Sequence, residues 1–493
     1  DLQRHEVGRE GDVLHLESLG LDAAAVARSR AAAETTSRDR IRTPAKPEPW
    51  TATLYARGRR VDTARPRLAA ALGLPASALR ADTSMLRLPG VSVQVVSLPF
   101  GLPSSVIYEP SDVLRSGVLP DDGDVVVAFG PAPGHWCLGA GGQEQGRSRC
   151  VGHRYSAVLR GLAHRDCDSG KVDSAMERIC EQGFLNLFDI SSFGESEVRN
   201  YEVGAALWQG RWDMAARLAL AMDWSEVTSA GADARAAFRR GDFVRGLEIL
   251  PEKCHGPRTL ALELVRQRPA EEALKRTLPA DLWRRCIRAV SKFVWNRAAA
   301  ARLQEQQFRP IVGDLIWDEA AGHARPLALK EIEKHSITDV LLPVPRLGEP
   351  VPECLQRLRI EADLRRLLPR GQPEQASSKP TPLTRIRPTM RPLVARATDA
   401  SWDIVEASSE AGPLVDCDLA RLGLPPPPPP PASTRGRRSS AAGRGHLPRD
   451  GLALRTRFTL PRDASAESAL RELFCKNPSE FLGEVEGHGD EEP

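Results

Sequence analysis

Alternating apolar and polar residues occur towards both ends of this 493-residue chain, with a helical pattern between them. Val91, Val93 and Val95 fall on one side of the alternation and Ser92 and Gln94 on the other. That two-residue period predicts a strand with one buried face. Near the other end Leu452, Leu454, Phe458 and Leu460 alternate with Ala453, Arg455, Arg457 and Thr459. From about 198 to 370 the apolar spacing turns helical. The order predicts an α+β chain in which a helical domain interrupts a mixed-sheet domain built from both ends.

Local signals fill in this frame. Glu6-Val7 and Val13–Leu16 predict a short hairpin, 62–72 a helix, and Val125–Phe129 and Tyr155–Arg160 two more strands. The Gly-rich stretch Gly139–Gly146 between them predicts a loop. Thr277-Leu278-Pro279 opens the clearest helix, because Pro suits a first turn whose N–H has no helical partner anyway. Leu282, Cys286, Val290, Phe293 and Val294 then form a core-facing stripe. Residues 368–384 predict a polar linker, and Ala464–Phe474 a closing helix. Seven prolines, Pro425–Pro431, lead into a stretch bearing Arg435, Arg437, Arg438, Arg444 and Arg449, which predicts a disordered insertion over 425–449. The expected divisions are therefore 1–197, an insertion at 198–397, a C-terminal part at 398–479 and a solvated acidic tail at 480–493.

Composition excludes some classes. At 41% hydrophobic residues plus 39 Gly, the chain is not wholly disordered. No run of 18 apolar residues predicts a membrane-spanning helix. A net charge of +3 from 68 basic and 65 acidic residues neither demands nor excludes a nucleic-acid partner. Nine Cys without framework spacing predict free thiols in a reducing, intracellular compartment. Cys137, Cys150, His153, Cys167 and Cys180 can be arranged as a zinc site on paper, although no Cys-x-x-Cys pair anchors them. The start at Asp1, without Met, is read as a processed form or a fragment.

Several motifs carry a family resemblance. Gly183-Phe-Leu-Asn-Leu-Phe-Asp-Ile-Ser-Ser-Phe-Gly194, with Tyr201-Glu-Val-Gly204 after it, resembles the Asn-Tyr-Phe-Gly-x-Gln-Arg-Phe-Gly motif and following helix of the TruD pseudouridine synthases. Gly152–Arg160, Ser291-Lys-Phe-Val-Trp-Asn296 (family Gln-Ser-Tyr-Leu-Trp-Asn), Gly313-Asp-Leu315, Ser336–Pro345, Arg391–Trp402 and Phe458–Glu472 resemble further family segments in the family's order. The resemblance implies a pseudouridine-synthase catalytic domain with a mixed sheet, interrupted by a mainly helical TruD domain. It further implies an isomerase that converts uridine to pseudouridine in RNA, typically at tRNA position 13. No metal and no organic cofactor are implied. RNA is the expected partner, a membrane is not, and a monomer is expected.

In that family an Asp acts on the nucleotide, an Asn orients it and an aromatic ring stacks on the uracil, which must leave its helix to react. Asn186 and Phe188 fall on the family Asn and Phe, and Gln94, Phe193, Gly194 and Arg391 on other motif positions. Arg87 stands where the catalytic Asp is expected. A guanidinium is no nucleophile or base near neutral pH, which leaves Asp82 as the nearby carboxylate. Ser191-Ser192 replaces the family Gln-Arg, Asp189 its Gly, and Ala56 an early Lys, with Arg57 beside it. Three readings follow: an active enzyme using Asp82, a silent RNA-binding protein of the same fold, or a catalytic loop miswritten by a splicing error in the gene model. The missing Asp predicts weak or absent turnover with RNA binding retained. Arg385, Arg387, Arg391 and Arg396 are the expected phosphate contacts.

Overall fold

The computed structural model describes residues 2–8, 10–38, 50–58, 64–81, 90–98, 100–119, 125–133, 150–162, 169–194, 197–222, 230–252, 254–306, 308–345, 347, 353–356, 390–408, 414–424 and 450–473. The expected loop at Gly139–Gly146, the linker at 368–384, the insertion at 425–449 and the tail at 480–493 lie outside them. The chain divides into two compact units. One comprises Asp1–Cys180 and Ala397–Arg462, the other Glu181–Arg396 and Asp463–Pro493.

The first unit is built on a nine-stranded mixed sheet. Its order is Thr398–Ser408, Asp450–Pro461, Gly152–Leu162, Leu2–Val7, Val91–Leu98, Trp50–Gly58, Val125–Pro131 and Val118–Leu119, with Arg80–Ala81 also pairing on Val91–Leu98. Leu2–Val7 runs parallel to Val91–Leu98 and antiparallel to Gly152–Leu162. The late strand Asp450–Pro461 covers the other edge of Gly152–Leu162. Early and late segments thus share one sheet, as the alternating patterns predict.

Val91–Leu98 departs from its expected half-burial. Val91 and Val93 pack with Leu14, Leu16, Tyr55 and Leu419 in one core. Val96 and Leu98 join Leu54, Leu68 and Phe129 in another. Because both faces are covered, Ser92 and Gln94 are 0% and 1% exposed. Ser92 Oγ accepts a hydrogen bond from Arg4 at 3.1 Å, which satisfies a hydroxyl that periodicity alone assigns to solvent.

Helices from Asn200–Trp208 to the 27-residue Ala280–Gln306 dominate the second unit. Leu207, Leu220, Phe238, Leu260 and Leu274 form their core. Gly204 lets Asn200–Trp208 approach the long helix, since a Cβ there would lie 2.1 Å from the Cys286 carbonyl oxygen. After Gln306 the described residues turn to short strands and 3₁₀ turns, with one further short helix at Glu353–Gln356, and 357–370 lie outside them. Leu315–Asp318 and His323–Pro326 form a hairpin whose turn uses Gly322 at φ +69°, and Leu341–Pro343 and Met390–Pro392 complete a four-stranded sheet. The Asp314 carboxylate accepts two hydrogen bonds from Arg302, at 2.9 and 2.6 Å, and one from the Ile311 N–H at 2.9 Å.

The unit boundary falls at 180/181, whereas sequence organisation places a division at 197/198. Phe184–Leu185 pairs with Val394–Ala395, and Ser465 N–H donates to Asn186, so these segments cluster with the helices.

Candidate active site

Gly183 enters the motif segment at φ +86°, where a Cβ would lie 2.6 Å from the Ala395 carbonyl oxygen. Antiparallel pairing then carries Phe184 and Leu185 beside Ala395 and Val394, and Asn186 N–H donates to Leu393 O at 3.0 Å. The Asn186 side chain is fully buried. Its Nδ2 donates to Pro392 O at 3.2 Å and Asp463 O at 3.3 Å. Its Oδ1 accepts from Arg391 at 2.8 Å and from Ser465 N–H at 3.3 Å. Four partners use the full capacity of the amide.

Arg391 also donates to the carbonyl oxygens of Asn186 at 2.8 Å and Leu187 at 3.1 Å. Its guanidinium carbon lies 4.1 Å from the Phe188 ring centroid and 5.4 Å from that of Trp295. Burial pushes this guanidinium down to about 10, against the charges of Asp463 and Asp189, so it stays protonated at neutral pH. The expectation of a surface phosphate contact at Arg391 does not hold, because the residue is 8% exposed and its donors point inward. Arg396 is exposed, and Arg385 and Arg387 lie outside the described residues.

Phe188 is half-buried and braced from several sides. Asn296, on the long helix, accepts from the Phe188 N–H at 2.8 Å and donates to the Phe188 carbonyl at 3.0 Å. Trp295 meets the Phe188 ring edge-on at 5.5 Å, and its own Nε1–H donates to Leu342 O at 3.1 Å. Lys292 Nζ lies 5.0 Å over the same ring and donates to Ser192 Oγ at 2.9 Å. That last pair has a sequence logic. Ser192 stands at the family motif's Arg, and Lys292 at the Ser of the later motif. Lys292 thus brings a positive charge to Ser192 from a different element.

Phe193 sits in the core, edge-on to Tyr201 at 6.0 Å and to Phe293 at 6.3 Å. Gly194, at φ +87°, turns the chain, and its carbonyl accepts from Arg199 at 2.5 Å. Gln94 is buried in the first unit, opposite Leu54. Asp82 and Arg87 lie outside the described residues. Asp189 is half-buried, with its oxygens 3.4 Å from Ser192 Oγ and 3.5 Å from Ser465 Oγ. Burial pushes the Glu467 carboxyl up, the nearby Arg471 opposes this, and the charge of Asp189 adds to it.

Among the zinc candidates read from sequence, Cys150 Sγ and His153 Nε2 lie 3.9 Å apart, with Glu6 as a third buried neighbour. Burial pushes the Cys150 thiol up to about 12, which disfavours the thiolate a metal requires. Cys180 is half-buried in helix Ser169–Glu181, and Cys137 and Cys167 lie outside the described residues.

Residues 140–343 match the model of the family tRNA pseudouridine synthase D (TruD). The chain is 24% identical over 355 residues to the mouse Pseudouridylate synthase 7 homolog, covering 66% of this chain and 46% of that protein. Against the Schizosaccharomyces pombe Multisubstrate pseudouridine synthase 7 it is 26% identical over 222 residues, covering 39% and 32%. The chain spans less than half the length of these curated relatives. A solved Methanosarcina mazei structure assigned to tRNA pseudouridine synthase D (TruD) superposes with a TM-score of 0.50 at 14% identity, over 97% of this chain and 92% of the other. In fold and motifs the chain is similar to the pseudouridine-synthase class. Within that class it is a relative of the TruD family.

Proposed function

We propose that this chain isomerises uridine to pseudouridine in RNA, with tRNA uridine-13 as the first substrate to test. The observation that carries the reading is the braced Asn186–Phe188 pair. The Asn186 amide is fully used by Pro392, Asp463, Arg391 and Ser465, so it fixes this segment rather than a carboxylate as the resemblance implied, and the Phe188 backbone is clamped by Asn296. A uracil out of its stack needs a fixed aromatic surface, and Phe188 supplies one beside two cations, Lys292 and Arg391. Those cations favour the charge that builds on the base as its glycosidic bond breaks.

The reacting carboxylate is proposed to be Asp82, five residues before Arg87. Asp189 is the control, as the half-buried carboxylate three residues beyond Asn186. Purified chain is incubated with unmodified tRNA transcript and pseudouridine is quantified. Turnover is expected, with a loss of at least about a thousandfold in Asp82→Ala and little change in Asp189→Ala. Loss confined to Asp189→Ala moves the carboxylate. Absence of turnover on tRNA and mRNA transcripts alike, despite salt-sensitive RNA binding, overturns the enzymatic reading.

A further inference from the structure

Three side chains distant in sequence converge within the first unit. His5 lies on strand Leu2–Val7, His15 follows the turn closed by the Val7–Val13 bridge, and Asp418 opens the short helix Asp418–Arg421. Asp418 Oδ2 accepts the Leu16 N–H at 2.8 Å, and Oδ1 lies 2.9 Å from His15 Nδ1. The two imidazole rings are 4.7 Å apart between centroids. His5 is 4% exposed, and its Nε2 comes within 3.4 Å of Asp418 Oδ2 without hydrogen-bond geometry, so this buried nitrogen has no hydrogen-bond partner. Arg421 Nη1 lies 3.0 Å from His15 Nδ1 and 3.7 Å from Asp418 Oδ1.

Hydrogen bonds alone leave this cluster unsatisfied. A protonated His15 Nδ1 donates to Asp418 but then faces an Arg421 N–H. An unprotonated Nδ1 accepts from Arg421 but then meets an Asp418 oxygen lone pair to lone pair. Neither tautomer supplies a partner for His5 Nε2. A cation between the three groups resolves all of these contacts, and the Arg421 guanidinium already supplies a positive charge at its edge.

We propose that His5, His15 and Asp418 bind a divalent transition-metal ion of the zinc type, which staples the first strand to the segment 414–424. The three donor atoms all lie within 4.8 Å of one another. Tetrahedral ligands about 2.0–2.2 Å from one zinc ion lie about 3.3–3.6 Å apart, so the 3.4 Å between His5 Nε2 and Asp418 Oδ2 already fits and the His15 ring has to shift to complete the set. Imidazole and carboxylate are its ordinary donors, and burial keeps His5 neutral, the form that ligates. Arg421, whose side chain is 57% exposed, swings into solvent as the ion enters. The fourth position is left to water on the His15 side, where that ring is 37% exposed.

The test uses the full chain, stripped with a chelator and titrated with Co²⁺, then Zn²⁺. One equivalent of Co²⁺ is expected, with visible absorption but no near-ultraviolet thiolate-to-cobalt band, and Zn²⁺ displaces it and raises Tm. His15→Ala, chosen because this ring is the most exposed ligand, keeps the circular dichroism spectrum and weakens binding at least about tenfold. Arg421→Gln binds as tightly or more tightly. A thiolate band places the ion on a cysteine and overturns the assignment. So does the absence of stoichiometric binding, or unchanged affinity in His15→Ala.

Discussion

Phe188 draws its fixed position from residues scattered over more than two hundred positions, and the Lys292–Ser192 pair is the most testable of these links. Removing a charged hydrogen-bond donor costs about 1.5–3 kcal/mol. Lys292→Ser is therefore expected to lower kcat/KM about tenfold to a hundredfold. Adding Ser192→Arg to that variant restores the family arrangement and recovers most of the loss, whereas Ser192→Arg alone crowds two cations and does not help. A pseudouridine assay on the four chains of this cycle decides it. At this scale the sequence exposes residue types but not their surroundings. Asn186 and Phe188 are legible because they fall on motif positions. Arg391, embedded in an Arg/Pro run, reads as solvated, because the carbonyls that bury it belong to Asn186 and Leu187. Lys292 appears merely as a departure until Ser192 is seen beside it.

At the level of elements, two motif residues prove to be architectural. Gly204 is the contact point of two helices, and Gly204→Ala must push a methyl group into the Cys286 carbonyl. A loss of about 1–3 kcal/mol is expected in urea unfolding, with the helical circular dichroism signal kept. Asp314 balances the buried Arg302, so Asp314→Ala strands a charge that is 2% exposed. That variant is expected to lose about 3–5 kcal/mol, read as a drop in Tm several times that of Gly204→Ala. Strand and helix types were legible wherever the period was sustained, as in Ala280–Gln306 and Asp450–Pro461. Burial on a second face was not. Ser92 and Gln94 read as solvent-facing because a period of two reports alternation, while the layers stacked on each side come from segments far away in sequence.

For the molecule as a whole, buried histidines set the response to acid. Burial holds His153 well below its ordinary 6.5, and the neighbouring Arg4 and Arg462 lower it further. In the unfolded chain this imidazole takes a proton below about 6.5, so the unfolded state binds more protons there and stability falls as the pH drops. The expected slope is up to about 1.4 kcal/mol per pH unit for each such histidine below pH 6.5. His5, lowered by burial against the pull of Asp418, adds in the same direction. His153→Gln is expected to flatten the profile of Tm between pH 7.5 and 5.5, whatever it does to Tm itself. An unchanged slope would mean that His153 takes up protons alike in the folded and unfolded chain. Sequence gave no access to this behaviour, since His153 appeared there only as a zinc candidate.

The position of Asp450–Pro461 beside Gly152–Leu162 also has a consequence for how the chain is made. On the ribosome, the edge of Gly152–Leu162 that this late strand will cover emerges long before its partner. At about 5–20 residues per second the wait lasts tens of seconds. An unpaired edge recruits other strands during such an interval. The nascent chain is therefore most exposed to misassociation while its helices are being synthesised, and a chaperone that shields that edge would be needed for only this window.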